Sequence, residues 1–171
     1  MQSSVHVELG ERSYDIHIGA GLLSRVPEFL QKLNLGRQGV IITDSNVEER
    51  YGRALQKHLD EAGYTLEVLA VPAGEPSKSL RQADRLFERL PALPLDRQSF
   101  VLALGGGVVG DLAGFVAATY LRGLALVQVP TSLLAQVDSS VGGKVGVNLP
   151  RAKTSSAHFI SRALSLQTPT R

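Results

Sequence analysis

The chain has no cysteine and no tryptophan, and aromatic residues make up only 5% of its 171 positions. Without cysteine there is neither a disulfide framework nor a thiolate metal site, which suits a reducing compartment. Scarce aromatics leave no basic face interleaved with rings, the arrangement that single-stranded nucleic acid would need. No apolar run approaches the roughly 20 residues that span a bilayer, and the stretch from Met1 to His6 lacks the charged and apolar regions of a secretory signal. These absences predict a soluble, cytoplasmic protein that binds neither nucleic acid nor membrane.

Charge is nearly balanced, 18 basic against 16 acidic residues, but unevenly placed. Four of the basic residues, Arg151, Lys153, Arg162 and Arg171, fall in 151–171, a stretch without an acid, so residues 1–150 hold 14 basic and 16 acidic side chains. The body is mildly acidic and the basicity belongs to the last stretch. A hydrophobic share of 43% is enough for a sizeable core, and the length suits one domain, with or without a tail.

The residues that organise the chain lie between Ser99 and Asn148. An apolar run, Phe100 to Leu104, breaks into Gly105-Gly106-Gly107-Val108-Val109-Gly110-Asp111 and continues as a small-residue helical pattern to Ala118. Strand, glycine turn and helix in that order form the phosphate-cradling unit of a nucleotide-binding α/β fold. Glycine lets backbone N–H groups approach an anion that also faces the positive end of the helix dipole. A tight strand-to-helix turn could also need glycine for packing alone.

Ahead of this turn, Val5 to Ile18 alternate as an N-terminal β-hairpin at a sheet edge, with His6 and His17 on the polar phase and therefore solvated. Residues 21–33 carry helical spacing. Gly39 to Thr43 read as a buried parallel strand followed by Asp44-Ser45-Asn46, which either cap the next helix, about Val47 to Ala62, or meet a ligand at the strand's carboxyl end. Leu66 to Val71 form another strand, leading to a loop stiffened by Pro72, Gly74 and Pro76 from which Glu75 and Lys78 project. A helix follows from about Ser79 to Leu90. After the glycine helix, Leu124 to Val129 form a strand ending at Thr131 and Ser132. A short helix over Leu133 to Val137 leads to Asp138-Ser139-Ser140-Val141-Gly142-Gly143-Lys144, where an acid, hydroxyls, glycines and a lysine crowd together and favour a site.

Taken together, Thr43 to Asn46, Pro72 to Lys78, Leu104 to Asp111, Tyr120 to Gly123 and above all Gln128 to Lys144 resemble 3-dehydroquinate synthases, and the resemblance covers residues 1 to about 150. It implies an NAD-dependent cyclase that converts 3-deoxy-arabino-heptulosonate 7-phosphate, a small-molecule substrate, to 3-dehydroquinate and phosphate in the shikimate pathway. Carried over by position, Asp44 and Asn46 would hold the adenosine end of NAD. Glu75 and Lys78 would be loop contacts, Gly107, Val108, Val109, Gly110 and Asp111 the pyrophosphate turn, and Thr131 and Ser132 further contacts. Asp138, Lys144 and Asn148 would hold the substrate and serve in catalysis, with Lys144 also near the cofactor. Arg122 would reach the phosphate site of a neighbouring subunit, since the family is homodimeric. Lys153 stands at the register of a cofactor-contacting lysine.

The resemblance also implies a divalent metal, zinc or cobalt, held by a glutamate and two histidines of a second, mostly helical domain whose motifs this sequence does not contain. No metal ligand is assigned here, and His158 alone makes no zinc site. Residues 151–171 depart from the family pattern. Ordinary codons for them, read in a shifted frame, spell Gly-Lys-Asp-Leu-Ile-Gly-Ala-Phe, a family-like segment, so a frameshifted or disordered tail is expected.

The expected architecture is an α/β fold, a mostly parallel, Rossmann-like sheet flanked by helices with an N-terminal β-hairpin. Residues 1–150 form the NAD-binding domain and 151–171 the tail. The expected function is that of a 3-dehydroquinate synthase, with no cyclase activity in this chain alone. The other readings are a related sugar-phosphate cyclase such as 2-deoxy-scyllo-inosose synthase, a metal-dependent alcohol dehydrogenase, or a non-catalytic nucleotide-binding module.

Overall fold

Alternation of apolar residues builds the first two strands, β1 (Gln2–Val7) and β2 (Tyr14–Gly19), which pair antiparallel with Val5 opposite Ile16. The computed structural model describes residues 2–10 and 13–149 and the backbone of 158–159 and 163–167. After the hairpin, the helix expected over 21–33 divides: Leu22–Arg25 wind as a 3-10 turn and α1 spans Val26–Lys32. Pro27 explains the break, because proline has no N–H to donate and is accommodated in the first turn of an α-helix.

The chain then alternates strand and helix. β3 (Gln38–Asp44) leads to α2 (Ser45–Val47), a π-helical turn over Glu48–Gly52 and α3 (Arg53–Glu61). β4 (Thr65–Val71) precedes α4 (Leu80–Arg89), whose first turn is capped by the Ser79 side chain accepting from the Gln82 N–H. β5 (Phe100–Gly105), α5 (Gly107–Thr119) and β6 (Ala125–Pro130) follow. The short helix expected over 133–137 is present, with Leu133 and Leu134 helical and the chain winding on as a π-helical turn over Ala135–Ser139, ahead of the two-residue β7 (Lys144–Val145). The backbone of β8 (His158–Phe159) pairs with β7, and that of β9 (Ala163–Gln167) lies in the main sheet. Most of the tail, with Lys153, lies outside the described residues.

The main sheet has the order β1-β2-β9-β6-β5-β3-β4 and is parallel except for the N-terminal hairpin. Its central strands are buried on both faces, as parallel strands under helices are. Val40, Ile42, Val101, Ala103 and Leu126 face α4 and α5 in one core, while Ile41, Phe100, Leu102, Leu104 and Val127 face α1 and α3 in the other. Alternation along each strand sorts these residues between the two cores.

The chain passes from β3 outward to β4, then returns across β3 to β5. That reversal is a topological switch point, and the crevice above the carboxyl ends of β3 and β5 is where open α/β sheets receive ligands. Asp44 and Gly105 end those two strands. No helix among the described residues is long and apolar enough to cross a membrane.

His6 is exposed and bonds Asp15 at 2.7 Å and Glu8 at 3.2 Å. His17 departs from the expectation of a solvated residue. It is half-buried and stacked on Phe29, with ring centroids 4.3 Å apart, and burial lowers its pKa.

Candidate functional site

The carboxyl ends of the central strands are tied to one another. Thr43 Oγ1 donates to the Leu104 carbonyl at 2.7 Å, and the Thr131 N–H donates to the Gly105 carbonyl at 2.9 Å, which brings the ends of β3, β5 and β6 into one rim. From this rim α5 begins at Gly107, with Gly106 as its cap residue and no side chain capping its first turn. The initial N–H groups of a helix have no partner within it. They stand at the switch point together with the positive end of a 13-residue helix.

The glycines keep this helix start open. A Cβ on Gly107 would lie 3.0 Å from Ser139 Oγ, and one on Gly106 would lie 3.3 Å from Ser132 Oγ. Two hydroxyls thus lie close against the glycines at the helix start, where a Cβ would crowd them. Farther along α5, a Cβ on Gly114 would overlap the Val145 side chain, so that glycine serves packing. Val109 and Gly110 are buried while Val108 is half-buried, so the Val109 side chain belongs to the core rather than to the crevice.

Asp111, one turn into α5, is ion-paired with Lys78, and their side chains are only 20% and 14% exposed. Burial pushes the Asp111 carboxyl above its ordinary value, and the Lys78 ammonium offsets part of that rise, while the negative charges of Glu75 and Asp138 add to it. The loop that carries Glu75 and Lys78 is held from the other side by Asn148. Asn148 Nδ2 donates to Glu75 Oε1 at 2.8 Å, and the Asn148 N–H donates to the Lys78 carbonyl at 2.9 Å.

Asp44 caps α2, its Oδ1 accepting from the N–H groups of Asn46 and Val47 at 3.0 and 3.1 Å, while the Asn46 side chain is exposed. Ser132 Oγ accepts from the Ala135 N–H at 3.3 Å. Asp138 and Lys144 are exposed at the two ends of one loop. Leu133, Leu134 and Val137 beside them are 68%, 70% and 67% exposed, an apolar border on this side of the crevice.

Arg122, expected to reach a neighbouring subunit, stands away from this chain's own crevice. It follows the far end of α5, about 20 Å from Gly107 at 1.5 Å per residue. Leu121 and Arg122 have φ of +49° and +70°, a conformation that costs a non-glycine residue about 1 kcal/mol or more. The pattern of strands and turns did not single out Tyr14. Its hydroxyl accepts from the Gly142 N–H at 2.7 Å across 128 residues.

Comparison with known proteins fits this geometry. Residues 68–168 match the model of the 3-dehydroquinate synthase N-terminal family, a span that runs past Asn148 into the tail. Over 148 residues the chain is 56% identical to a 3-dehydroquinate synthase of Symbiobacterium thermophilum, covering 86% of this chain and 41% of that one. A solved 2-deoxy-scyllo-inosose synthase complexed with carbaglucose-6-phosphate, NAD+ and Co2+ overlays with a TM-score of 0.84 at 27% identity, covering 96% of this chain and 44% of that one. A 2-epi-5-epi-valiolone synthase from Streptomyces hygroscopicus with NAD+ and Zn2+ bound gives 0.81 at 28%, over 95% and 44%. The chain therefore spans less than half the length of these relatives. Since the Lys78 loop, the glycine turn and the run from Gln128 to Lys144 all fall inside the matched span, this chain belongs to the 3-dehydroquinate synthase family and corresponds to its N-terminal part.

Proposed function

We propose that this chain is the NAD-binding part of a 3-dehydroquinate synthase, which cyclises 3-deoxy-arabino-heptulosonate 7-phosphate with loss of phosphate. The observation that carries the reading is the start of α5 at the switch point, which no side chain caps and where Gly106 and Gly107 put no side chain between the first N–H groups and the crevice. A pyrophosphate suits it, because free N–H groups and the helix dipole both favour negative charge there. Bound there, NAD would supply reversible hydride chemistry, by which a ring alcohol could be oxidised to a ketone that acidifies the neighbouring hydrogen and then be restored.

The chain's own residues bind and orient. Both capping bonds of Asp44 fall on Oδ1, which leaves Oδ2 to accept from a ribose hydroxyl beside Asn46. Lys78 and Asp111 fix the loop over the helix start, and Glu75 with Asn148 joins that loop to the substrate side. Asp138 would accept from substrate hydroxyls, and Lys144 would offer its ammonium to a carboxylate. Thr131, Ser132 and Lys153 are further cofactor contacts. Arg122, at the far end of α5, would serve a partner subunit in a cytoplasmic homodimer.

The metal of the related enzymes does not fit this part of the chain. Among the described residues, no three His, Cys, Asp or Glu side chains gather to hold an ion. The exposed Leu133, Leu134 and Val137 form an apolar edge beside the substrate side of the crevice. A 2-deoxy-scyllo-inosose synthase activity is the second reading, supported by the structural overlay at 27% identity against 56% for the 3-dehydroquinate synthase relative.

Calorimetric titration with NAD, with thermal melting alongside, tests the reading. A dissociation constant between micromolar and sub-millimolar with a raised Tm supports it, since a ligand bound only by the native state stabilises that state. Absence of both would remove it. Conversion of the heptulosonate phosphate by the purified chain would overturn the expected inactivity.

A further inference from the structure

The N-terminal hairpin has a small core of its own, Tyr14 and Ile16 with Val7 packed against them, separate from the two main cores. Through its hydroxyl it reaches one other place. Tyr14 is 8% exposed, and its Oη accepts from the Gly142 N–H at 2.7 Å. The sheet fixes where that hydroxyl stands, because β2 is held by β1 on one side and by β9 on the other, and β9 pairs with β6.

The segment it grips needs an external hold. Between Asp138 and Lys144 the chain contains Gly142 and Gly143, and Gly142 has φ +100°, so freezing this loop costs more conformational entropy than freezing an ordinary one. Short-range bonds tie its start to the preceding turn, Ser140 N–H to the Ala135 carbonyl at 2.9 Å and Val141 N–H to the Asp138 carbonyl at 3.0 Å, and Lys144 at its end pairs with Phe159, which leaves the glycines between them to be held from outside. Ser140 is 1% exposed, and its hydroxyl has no hydrogen-bond partner among the described residues. The loop thus keeps a conformation that leaves a buried polar group unsatisfied, which contacts outside the loop must offset.

We propose that Tyr14 is a positioning residue for the substrate side of the site. Its hydroxyl pins the middle of the 138–144 loop so that Asp138 and Lys144 stand at a fixed place beside the nucleotide crevice. A tyrosine suits the task because only two side-chain torsions need fixing and burial in the hairpin has already fixed them. The role assigned to Asp138 and Lys144 rests on the function proposed above, whereas the pinning of the loop does not.

Tyr14→Phe keeps the ring and removes the acceptor. Amide hydrogen exchange at Gly142 should quicken about tenfold or more while the amides of α5 hold their rates. With NAD saturating, the dissociation constant of the heptulosonate phosphate should rise roughly fivefold, because the loop must now be ordered on binding, and that of NAD should stay within about twofold. Ile16→Val, which trims the same hairpin core without touching the hydroxyl, is the control. Unchanged Gly142 exchange in Tyr14→Phe overturns the proposal, as does an equal weakening of the sugar-acid phosphate in Ile16→Val. If the unaltered chain binds no sugar-acid phosphate, the substrate roles of Asp138 and Lys144 fail while the NAD-binding reading stands on its own titration, and the Gly142 exchange together with the backbone order of Asp138 and Lys144 still decides the role of Tyr14.

Discussion

Asn148 Nδ2 donates to Glu75 Oε1 at 2.8 Å while the Asn148 N–H donates to the Lys78 carbonyl at 2.9 Å, so one residue grips both sides of the 75–78 loop. The backbone bond extends to a parallel bridge between Ser79 and Asn148. Asn148→Ala removes only the side-chain bond, which is exposed, and should cost about 0.5 kcal/mol in denaturant melts. Asn148→Asp sets a carboxylate against Glu75, so its loss should exceed that of the alanine variant at low salt and shrink toward it at high salt.

Lys78 compensates a carboxylate that is mostly out of water. Lys78→Met would leave Asp111 without its partner and should lower stability at pH 7 by about 1 to 3 kcal/mol, less than for a fully buried pair. The sign of the pH dependence follows from the raised pKa of Asp111. A carboxyl raised in the folded state contributes stability that is complete below its unfolded value and is lost as pH rises through the folded one. Without Lys78 the folded value rises further, so the gap between variant and parent should narrow as pH falls from 7 toward 4. A gap that widens on acidification would show that Lys78 compensates some other group.

The two histidines of the hairpin titrate in opposite senses. Burial lowers His17, so its stabilising contribution is present above the unfolded value of 6.5 and falls away as pH drops through the folded one. Asp15 first, and Glu8 after it, raise His6, whose contribution is complete below 6.5 and fades as pH rises through its folded value. His17→Gln should therefore flatten the loss of Tm between pH 7 and pH 5, and His6→Gln should flatten a loss between pH 6 and pH 8. Thermal melts across that range separate the two.

Much of this was legible in the residues themselves. The runs at Val40 to Ile42 and Val101 to Leu104 are too continuous for one-sided strands, and the structure buries both faces under helices. The turn from Gly105 to Asp111 sits where strand, glycine and helix patterns place it, because local sequence dictates a local turn. What escaped were long-range pairings. Nothing near Tyr14 announces a bond to Gly142, and nothing near Asn148 announces Glu75, since each depends on how distant strands align. The two readings of Asp44 have a physical origin too: one carboxylate caps a helix through Oδ1 and retains a second oxygen. His17 escaped because strand alternation says which face a side chain takes, whereas Phe29 on a separate helix decides what covers it.

Gly107 and Gly114 lie on one helix, and their substitutions should separate binding from stability. At Gly107 the nearest atom to an added Cβ is a side-chain hydroxyl, Ser139 Oγ at 3.0 Å, which can rotate away. Gly107→Ala should thus change stability by less than about 1 kcal/mol, since it also removes the entropy that glycine costs a helix. The added methyl nonetheless stands at the first position of α5, beside its uncapped N–H groups, and NAD affinity should fall about tenfold as the pyrophosphate loses its close approach. At Gly114 the obstacle is Val145, packed in the core with Leu126, and overpacking there should cost about 1 to 3 kcal/mol. Because Gly114 is two turns away from the helix start, NAD should bind the folded fraction of Gly114→Ala with nearly unaltered affinity. Calorimetry on both variants, each corrected for its folded fraction, reads the difference. Equal loss of NAD affinity in the two would mean that the glycines of α5 serve packing throughout and that the cradle lies elsewhere.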